Sequence, residues 1–212
     1  MVWVKSEYAD ELAVLVTWLS MVLPWSVAYN SEGPLGSHIA FVRISVFELQ
    51  LRFPSNITFQ GVPLDVARAL DVVYSGFQIA GNFYGAFPPT AALFYDGTTF
   101  EFADALTLAN AFWSLAAVIM LVAFALSLAM YRDEAATSAR LPVAYPRLAG
   151  WLLVAASICL AVSTAWFYVA SPRVGIPLPV GLIVILALAI TLVRADTVDS
   201  VEESPEDAAE PN

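Results

Sequence analysis

Four long stretches of this sequence contain no charged residue and no histidine, and this feature limits the folds open to the chain more than any other. They cover residues 12–29, 105–130, 148–170 and 176–193. An α-helix rises about 1.5 Å per residue, so a helix over each stretch is long enough to cross a hydrocarbon layer about 30 Å thick. The sequence therefore predicts an α-helical integral membrane protein, a bundle of four spans.

The composition agrees with this prediction. Hydrophobic residues make up 59% of the 212 residues and charged residues 13%, against roughly 45–50% and 25% in soluble domains. The net charge is −10, from 9 basic and 19 acidic residues, and an acidic surface repels nucleic acid. So acidic a chain with so little lysine indicates a halophilic archaeon, where high salt screens the self-repulsion. No nucleic-acid partner is expected.

Arginines set the predicted orientation, because cytoplasmic loops carry an excess of basic residues. The loop at 131–147 contains three arginines and a fourth follows residue 193, whereas the loop at 171–175 contains one. We therefore predict a multi-pass protein of the cell membrane with the 131–147 loop and the C-terminus in the cytoplasm. The arginines of the cytoplasmic side are Arg132, Arg140, Arg147 and Arg194.

Both chain ends are predicted to lie in the cytoplasm. Four spans return the chain to its starting side, which puts residues 1–11 inside. Residues 194–212 are acidic and contain no aromatic residue. Such a segment cannot bury enough apolar surface to offset the entropy lost on ordering, so a disordered tail is expected.

The segment at 30–104 is too long for a simple loop, and we predict a small extracytoplasmic unit of strands and helix. Apolar and polar residues alternate through 39–53, which indicates a strand. An Asp-Gly pair within 94–100 suits a hairpin turn. From Pro63 onward, polar residues recur every three or four positions, which indicates an amphipathic helix lying on the membrane or against the bundle.

A rival prediction lets residues 66–87 cross the membrane as a fifth span, because residues 72–95 carry no formal charge. That arrangement would put the 31–62 region inside and the N-terminus outside. It is opposed by the predicted strands at 39–53 and 94–102, which can pair only if they lie on one side of the membrane. The four-span arrangement is therefore preferred.

The sequence offers few groups for chemistry. It has one cysteine, Cys159, and one histidine, His38, so it can form neither an internal disulfide nor a zinc-type cluster. Cys159 lies near the middle of a predicted span, where apolar surroundings disfavour the reactive thiolate. The spans also lack the intramembrane charges that pumps and ion-coupled carriers use. We predict no catalytic, cofactor-binding or metal-binding residue.

Three polar residues are singled out for other roles. Asn110 and Ser114 lie four residues apart on one face of the second span, a spacing that suits a polar contact between helices. The alternative is that they line a polar path in a small channel or carrier. Asn56 begins an Asn-Ile-Thr tripeptide, which predicts a glycosylation site in the extracytoplasmic segment.

The layout of four spans with a strand-bearing segment after the first resembles the claudin-type arrangement, although only Trp25 stands where those proteins have a Trp and paired-cysteine signature. In composition and layout the chain more closely resembles a group of small haloarchaeal integral membrane proteins of unassigned function. Members of that group occur near archaeosortase A, the enzyme that processes the C-termini of surface proteins. The resemblance covers the whole chain and implies a setting in cell-envelope biogenesis, with no catalytic residue.

These observations favour a non-enzymatic accessory or scaffold component of a cell-envelope membrane complex. The expected partners are membrane lipids and other integral membrane proteins, and a homo-oligomer is left open. No cofactor is expected.

Overall fold

The structure, a computed structural model, describes residues 8–59, 62–63 and 65–195. The predictions for the first seven residues and for the acidic tail beyond residue 195 lie outside the described residues. The helices are α1 (Ala9–Val22), α2 (Val66–Val73), α3 (Pro88–Tyr95), α4 (Ala103–Arg132), α5 (Glu134–Ser138), α6 (Tyr145–Val169), α7 (Ser171–Val174) and α8 (Val180–Val193), with a short 3-10 turn at Pro34–Gly36. The strands are β1 (Ser26–Asn30), β2 (His38–Arg43), β3 (Glu48–Phe53), β4 (Thr58–Phe59), β5 (Val62–Pro63), β6 (Phe77–Ala80) and β7 (Phe83–Ala86).

Helices α1, α4, α6 and α8 pack side by side as a bundle. Among the described residues, α4 and α6 are the two helices long and apolar enough to cross a membrane, by length and composition. Small residues allow the helices to approach closely. A Cβ atom at Gly150 of α6 would lie 2.8 Å from the backbone nitrogen of Val193 in α8. Ser163 Oγ of α6 donates a hydrogen bond of 2.8 Å to the Ala109 carbonyl of α4.

The first predicted span is helical only in its first part. Helix α1 ends at Val22, Leu23 is already extended with φ −68° and ψ 127°, and β1 follows. Pro24 explains this end, because a proline lacks a backbone N–H and disfavours the helical conformation in the residue before it. The prediction of a helix through residue 29 was therefore wrong. Helix α8 likewise begins at Val180 rather than at 176, directly after Pro177 and Pro179.

Between α1 and α4 the chain forms a five-stranded antiparallel sheet in the order β1-β2-β3-β7-β6. The single strand predicted over 39–53 is in fact a hairpin, in which β2 and β3 pair from His38 opposite Phe53 to Arg43 opposite Glu48. The turn of this hairpin, residues 44–47, contains no glycine or proline. The alternating pattern indicated the strands correctly and gave no sign of the turn between them.

The predicted long helix from Pro63 is also shorter than expected. Helix α2 spans Val66–Val73, and the β6–β7 hairpin follows it. Gly76 at φ +135° and Gly81 at φ +53° end the helix and turn the hairpin, because glycine adopts positive φ without steric cost. A continuous fifth span over 66–87 is therefore contradicted.

The hairpin predicted over 94–100 is contradicted as well. That region belongs to α3, which begins at Pro88 and ends at Tyr95, and to the turn at Gly97 with φ +70°. Pro88 and Pro89 begin α3, since proline fits the first helical turn. Strand β3 pairs with β7, and not with the 94–102 region as predicted.

The β2–β3 turn is the part of the sheet that enters the bundle. The indole nitrogen of Trp113 donates a hydrogen bond of 2.8 Å to the Ser45 carbonyl, and the indole of Trp25 donates one of 3.2 Å to the Ile44 carbonyl. Ser45 Oγ donates to the Met21 carbonyl at the end of α1, 2.6 Å away. Trp113 lies ten residues after Ala103, or about 15 Å along α4. The sheet therefore lies beside the first third of α4.

The outer edge of β1 is also covered. Val27 and Leu178 exchange two backbone hydrogen bonds of 3.1 and 2.8 Å. A Cβ atom at Gly181 would lie 2.0 Å from the Pro24 carbonyl oxygen. Only a glycine allows the start of α8 to lie this close to the chain before β1, and the contact joins the sheet edge to the bundle.

The indole of Trp113 should be necessary for the join between sheet and bundle. We expect Trp113→Phe to lower stability by about 1–3 kcal/mol, because the buried Ser45 carbonyl loses its donor. The thermal unfolding midpoint in mild detergent measures this. The matched control is Trp151→Phe, since the Trp151 side chain is 60% exposed. Equal losses for the two variants would contradict the role given to Trp113.

Candidate functional site

The sheet has its charged residues on the buried face, the reverse of the arrangement in a water-soluble sheet. Glu48, Gln50 and Arg52 alternate along β3 and are only 6%, 1% and 2% exposed. Arg43 of β2 is 1% exposed. Alternation predicted that the polar residues share a face. It did not predict that this face is the one packed against the bundle.

These side chains form one continuous hydrogen-bonded chain, which we call the polar network (Arg43, Glu48, Gln50, Arg52 and Asp71). Arg43 Nε donates to Glu48 Oε2 at 2.7 Å, and Gln50 Nε2 donates to Glu48 Oε1 at 2.6 Å. Arg52 donates to Gln50 Oε1 from Nε and Nη2, at 2.9 and 2.7 Å. Arg52 Nη1 donates to Asp71 Oδ1 of α2 at 2.8 Å. Two cations and two anions make the network neutral as a unit.

Aromatic rings cover both guanidinium groups. The Arg43 guanidinium carbon lies 3.9 Å from the ring centroid of Phe167 in α6. That of Arg52 lies 4.0 Å from the ring of Tyr84 in β7. Such cation–π contacts replace part of the hydration that burial removes. Burial lowers the pKa of Arg52, and the Asp71 carboxylate opposes that shift.

Residues 74–95 supply a second layer of contacts. The Ser75 carbonyl accepts hydrogen bonds from Gln50 Nε2 at 3.0 Å and Arg52 Nη2 at 3.1 Å. The Tyr95 hydroxyl accepts a bond of 3.4 Å from the Ser75 N–H. Burial raises the pKa of Tyr95 to about 12, and the nearby Glu48 carboxylate acts in the same direction. Burial also raises the pKa of Tyr74 to about 12, and its hydroxyl donates to the Arg173 carbonyl at 2.8 Å.

A cavity of about 10 Å³ adjoins the ion pair, with Arg43, Glu48, Tyr95 and Asn110 in its lining. This volume is about enough for one water molecule. Within the described part of the chain, Arg43 Nη1 is buried without a hydrogen-bond partner. The arrangement neutralises buried charge. Glu48 accepts hydrogen bonds from Arg43 and Gln50, and Asp71 accepts one from Arg52.

Asn110 and Ser114 form their hydrogen bonds inside α4. Asn110 Nδ2 donates to the Leu106 carbonyl at 2.8 Å, and Ser114 Oγ donates to the Asn110 carbonyl at 2.7 Å. The hydrogen bond between α4 and α6 in this region comes instead from Ser163. Asn110 is buried beside the polar network and lines the small cavity there.

The remaining singled-out residues lie apart from the network. His38 is exposed, and its ring stacks on Tyr29 at 6.4 Å between centroids. Asn56 is exposed in the loop after β3, so its side chain is accessible. Cys159 is a half-buried free thiol in α6. Within residues 8–59, 62–63 and 65–195, no three His, Cys, Asp or Glu residues are grouped so that they could hold a metal ion.

Sequence reasoning missed the polar network. One signal in the sequence points to it: the outward row of β3 is Leu49, Leu51 and Phe53, which is unusually apolar for a surface facing water. Arg43 and Glu48 also have opposite charges and lie at the two ends of a turn, as the two members of a cross-strand pair do.

The fold and the site together define a class of protein: an apolar helical bundle joined to an antiparallel sheet that contains a buried, neutral polar network. The chain belongs to a family of unknown function, DUF7549, whose model matches residues 2–197. In the comparison with curated proteins, none matches the chain. The family match confirms the expected membership of a group without assigned function. The haloarchaeal source and the cell-envelope setting stay predictions.

Removal of one member of the ion pair should be far more harmful than removal of the exposed carboxylate at the other end of the network. Glu48→Ala leaves the buried Arg43 charge uncompensated, which costs about 3–5 kcal/mol. Asp71→Ala should cost clearly less, because the Asp71 side chain is 53% exposed and Arg52 keeps its hydrogen bonds to Gln50 and the Ser75 carbonyl. Thermal unfolding in mild detergent measures both. The double variant Arg43→Met/Glu48→Leu should regain much of the loss, and a double variant no better than Glu48→Ala would contradict this account.

Alkaline pH should weaken the fold through Tyr95. Its pKa is raised to about 12 in the fold, whereas a tyrosine in an unfolded chain has a pKa of about 10. The stabilising contribution of the neutral phenol is therefore complete below pH about 10 and is lost as the pH rises through about 12. Tyr95→Phe should reduce the fall in unfolding midpoint between pH 9 and 11. An unchanged slope would show that other groups cause the alkaline loss.

Proposed function

We propose that this protein is a multi-pass integral membrane protein that acts without catalysis, as an accessory or scaffold component of a cell-envelope membrane complex. The observation that carries the proposal is the reversed polarity of the sheet. The charged side chains of β2 and β3 are buried on the inner face of the sheet, where they pair with each other and with Asp71. What remains for contact with surroundings is an uncharged apolar surface on both the sheet and the helices.

The outward surface of the helices supports a membrane location. Only 33% of the most apolar stretch of α4, and of that of α6, is buried, whereas a core helix of a soluble protein is mostly buried. Away from the helix ends, the large exposed side chains of the bundle are aliphatic or aromatic, as lipid contact requires. Large exposed side chains on these helices include Leu15, Leu19, Leu115, Val118, Leu121, Ile158, Ile183 and Ile190.

The distribution of arginines supports an orientation with the sheet outside. Helices α4 and α8 begin at the sheet end of the bundle, and α1 and α6 end there. Arg132 closes α4, Arg147 lies in the first turn of α6 and Arg194 follows α8, so all three lie at the opposite end. The positive-inside rule assigns that end to the cytoplasm. The net charge of −10 fits the proposed halophilic source.

An aromatic patch (Phe47, Phe77 and Phe87) on the outward face of the sheet is the proposed contact with partner membrane proteins. Phe47 and Phe87 have ring centroids 5.4 Å apart, and Phe77 and Phe87 have theirs 6.0 Å apart. Phe77 is 50% exposed and Phe87 46% exposed. Aromatic side chains bury much apolar area at little entropic cost and dominate protein contacts.

A comparison of two charge-adding variants of β6 tests the proposed contact. Phe77→Glu puts a carboxylate into the aromatic patch, whereas Gln78→Glu adds the same charge to the neighbouring position of the same strand. The tagged protein is cross-linked in cells and purified in mild detergent. We expect Phe77→Glu to reduce recovery of the cross-linked partners at least tenfold, and Gln78→Glu to retain them. Equal recovery with the two variants would remove the aromatic patch as the contact.

Single alanine substitutions test the non-catalytic part of the proposal. His38→Ala, Asp104→Ala, Asn110→Ala and Cys159→Ala should each preserve the cellular function, because none of these side chains is proposed to perform chemistry. Loss of function in one of them, with the protein inserted at its normal level, would count against a purely binding role.

A further inference from the structure

Two helices of the bundle are too short to cross a membrane by themselves. Helices α1 and α8 each have 14 residues, or about 21 Å, against a hydrocarbon thickness of about 30 Å. If the protein spans the membrane as proposed above, something other than helix must fill the remaining depth on this side. Beyond α1 the chain is extended at Leu23 and forms β1, and before α8 it makes a β-bridge at Leu178.

The segment that follows α1 and the segment that precedes α8 reach the same depth independently. From Leu12, the first residue after the acidic pair, α1 rises about 16 Å to Val22, and about four extended residues of 3.3 Å each complete 30 Å near Val27. From Val193, α8 covers about 21 Å, and the two residues back to Leu178 add up to about 7 Å, which brings the total close to 30 Å. Val27 and Leu178 are the residues that exchange two backbone hydrogen bonds. Both segments therefore reach the outer boundary of the hydrocarbon layer at the same place.

The β2–β3 turn is built for surroundings without water. Its sequence is Ile-Ser-Val-Phe, whereas turns in water favour glycine, proline, asparagine and aspartate. Four of its backbone polar groups have partners within the protein: the indoles of Trp25 and Trp113 donate to the carbonyls of Ile44 and Ser45, and the Ile44 N–H donates to the Phe47 carbonyl. Backbone exposed to lipid needs such partners, because lipid supplies none.

The side of the sheet next to α8 has the surface that lipid requires. The outward positions of β1, β2, β3 and β7 carry no Asp, Glu, Lys or Arg. The free edge of β1 is closed by Leu178, which is 57% exposed, and Ile176 beside it is 60% exposed. Tyr29, 58% exposed, stands two residues beyond Val27, where interfacial aromatic residues occur. Glu32, the first charged residue of the chain after α1, is exposed.

We propose that a lipid-embedded rim of the sheet, consisting of Val27 and residues 176–178, lies among the acyl chains of the outer leaflet. On this side the membrane is crossed twice by a 14-residue helix and a non-helical segment: α1 with β1, and α8 with residues 176–179. The apolar surface of α8 continues through Leu178 onto Val27 without a charged residue between them. This inference rests on the proposed membrane location and adds the depth of the sheet.

Spin-label accessibility measures that depth. Single-cysteine variants Val27→Cys and Leu178→Cys are made in a Cys159→Ala background, spin-labelled and reconstituted in phosphatidylcholine–phosphatidylglycerol vesicles at high salt. Collision with oxygen reports acyl chains, and collision with a water-soluble nickel chelate reports water. The controls are Ile183→Cys on α8, Leu121→Cys on α4 and Glu32→Cys beyond the rim. Ile176→Cys replaces either test variant that unfolds in detergent.

We expect the oxygen-to-nickel collision ratio at 27 and 178 to match that at 183 and to exceed that at 32 several-fold. Nickel accessibility at 27 and 178, with lipid-like values at 183 and 121, would overturn the embedded rim and leave the membrane location standing. Water accessibility at 183 and 121 would overturn the membrane location itself. Protection of 27 and 178 from both reagents would mean that a second copy covers them, and would overturn the lipid assignment.

Discussion

The buried pair of Arg43 and Glu48 is the interaction on which the rest of the structure depends. Two charges withdrawn from water are costly, and their attraction offsets that cost only when the geometry is good and the remaining polar atoms are satisfied. Here the β2–β3 register puts Arg43 opposite Glu48, and Gln50 relays the network to Arg52. Since a slip of one residue turns every side chain to the other face, another register would leave the charges unpaired.

The inward charges determine what the outward face can be. A strand alternates its side chains, so a buried row of Glu48, Gln50 and Arg52 requires that Leu49, Leu51 and Phe53 face outward. In a soluble protein this arrangement would be unfavourable twice, by burying charge and by exposing apolar area. Beside a membrane or a membrane partner the apolar outward face becomes favourable, because Leu49, Leu51 and Phe53 are then removed from water. The polar network and the proposed apolar contacts are therefore two consequences of one strand pattern.

Part of this architecture could be predicted from the sequence. The apolar stretches at 105–130 and 148–170 are indeed the cores of α4 and α6, because a long uncharged stretch leaves few alternatives to helix. Strand 26–30 was missed, since its residues are apolar enough to continue a helix and only Pro24 marks the change. The pattern from 63 to 82 has helical spacing, but positive φ at Gly76 and Gly81 divides it into helix and hairpin. The polar network was not predicted, because alternation says which residues share a face and not which face is buried.

The two indoles connect the buried charges to the bundle. Trp25 and Trp113 donate hydrogen bonds to the turn at 44–47, and Arg43 and Glu48 stand at the two ends of this turn. The ring centroids of the two indoles are 5.6 Å apart. Phe167 lies 6.4 Å from Trp25 and 3.9 Å from the Arg43 guanidinium. The same rings therefore supply donors to the backbone, apolar contact to the helices and a surface for the cation. The turn carbonyls need the indoles of the bundle side, and the Arg43 guanidinium needs the Phe167 ring. Sheet and bundle should therefore form as one cooperative unit, and neither should fold correctly without the other.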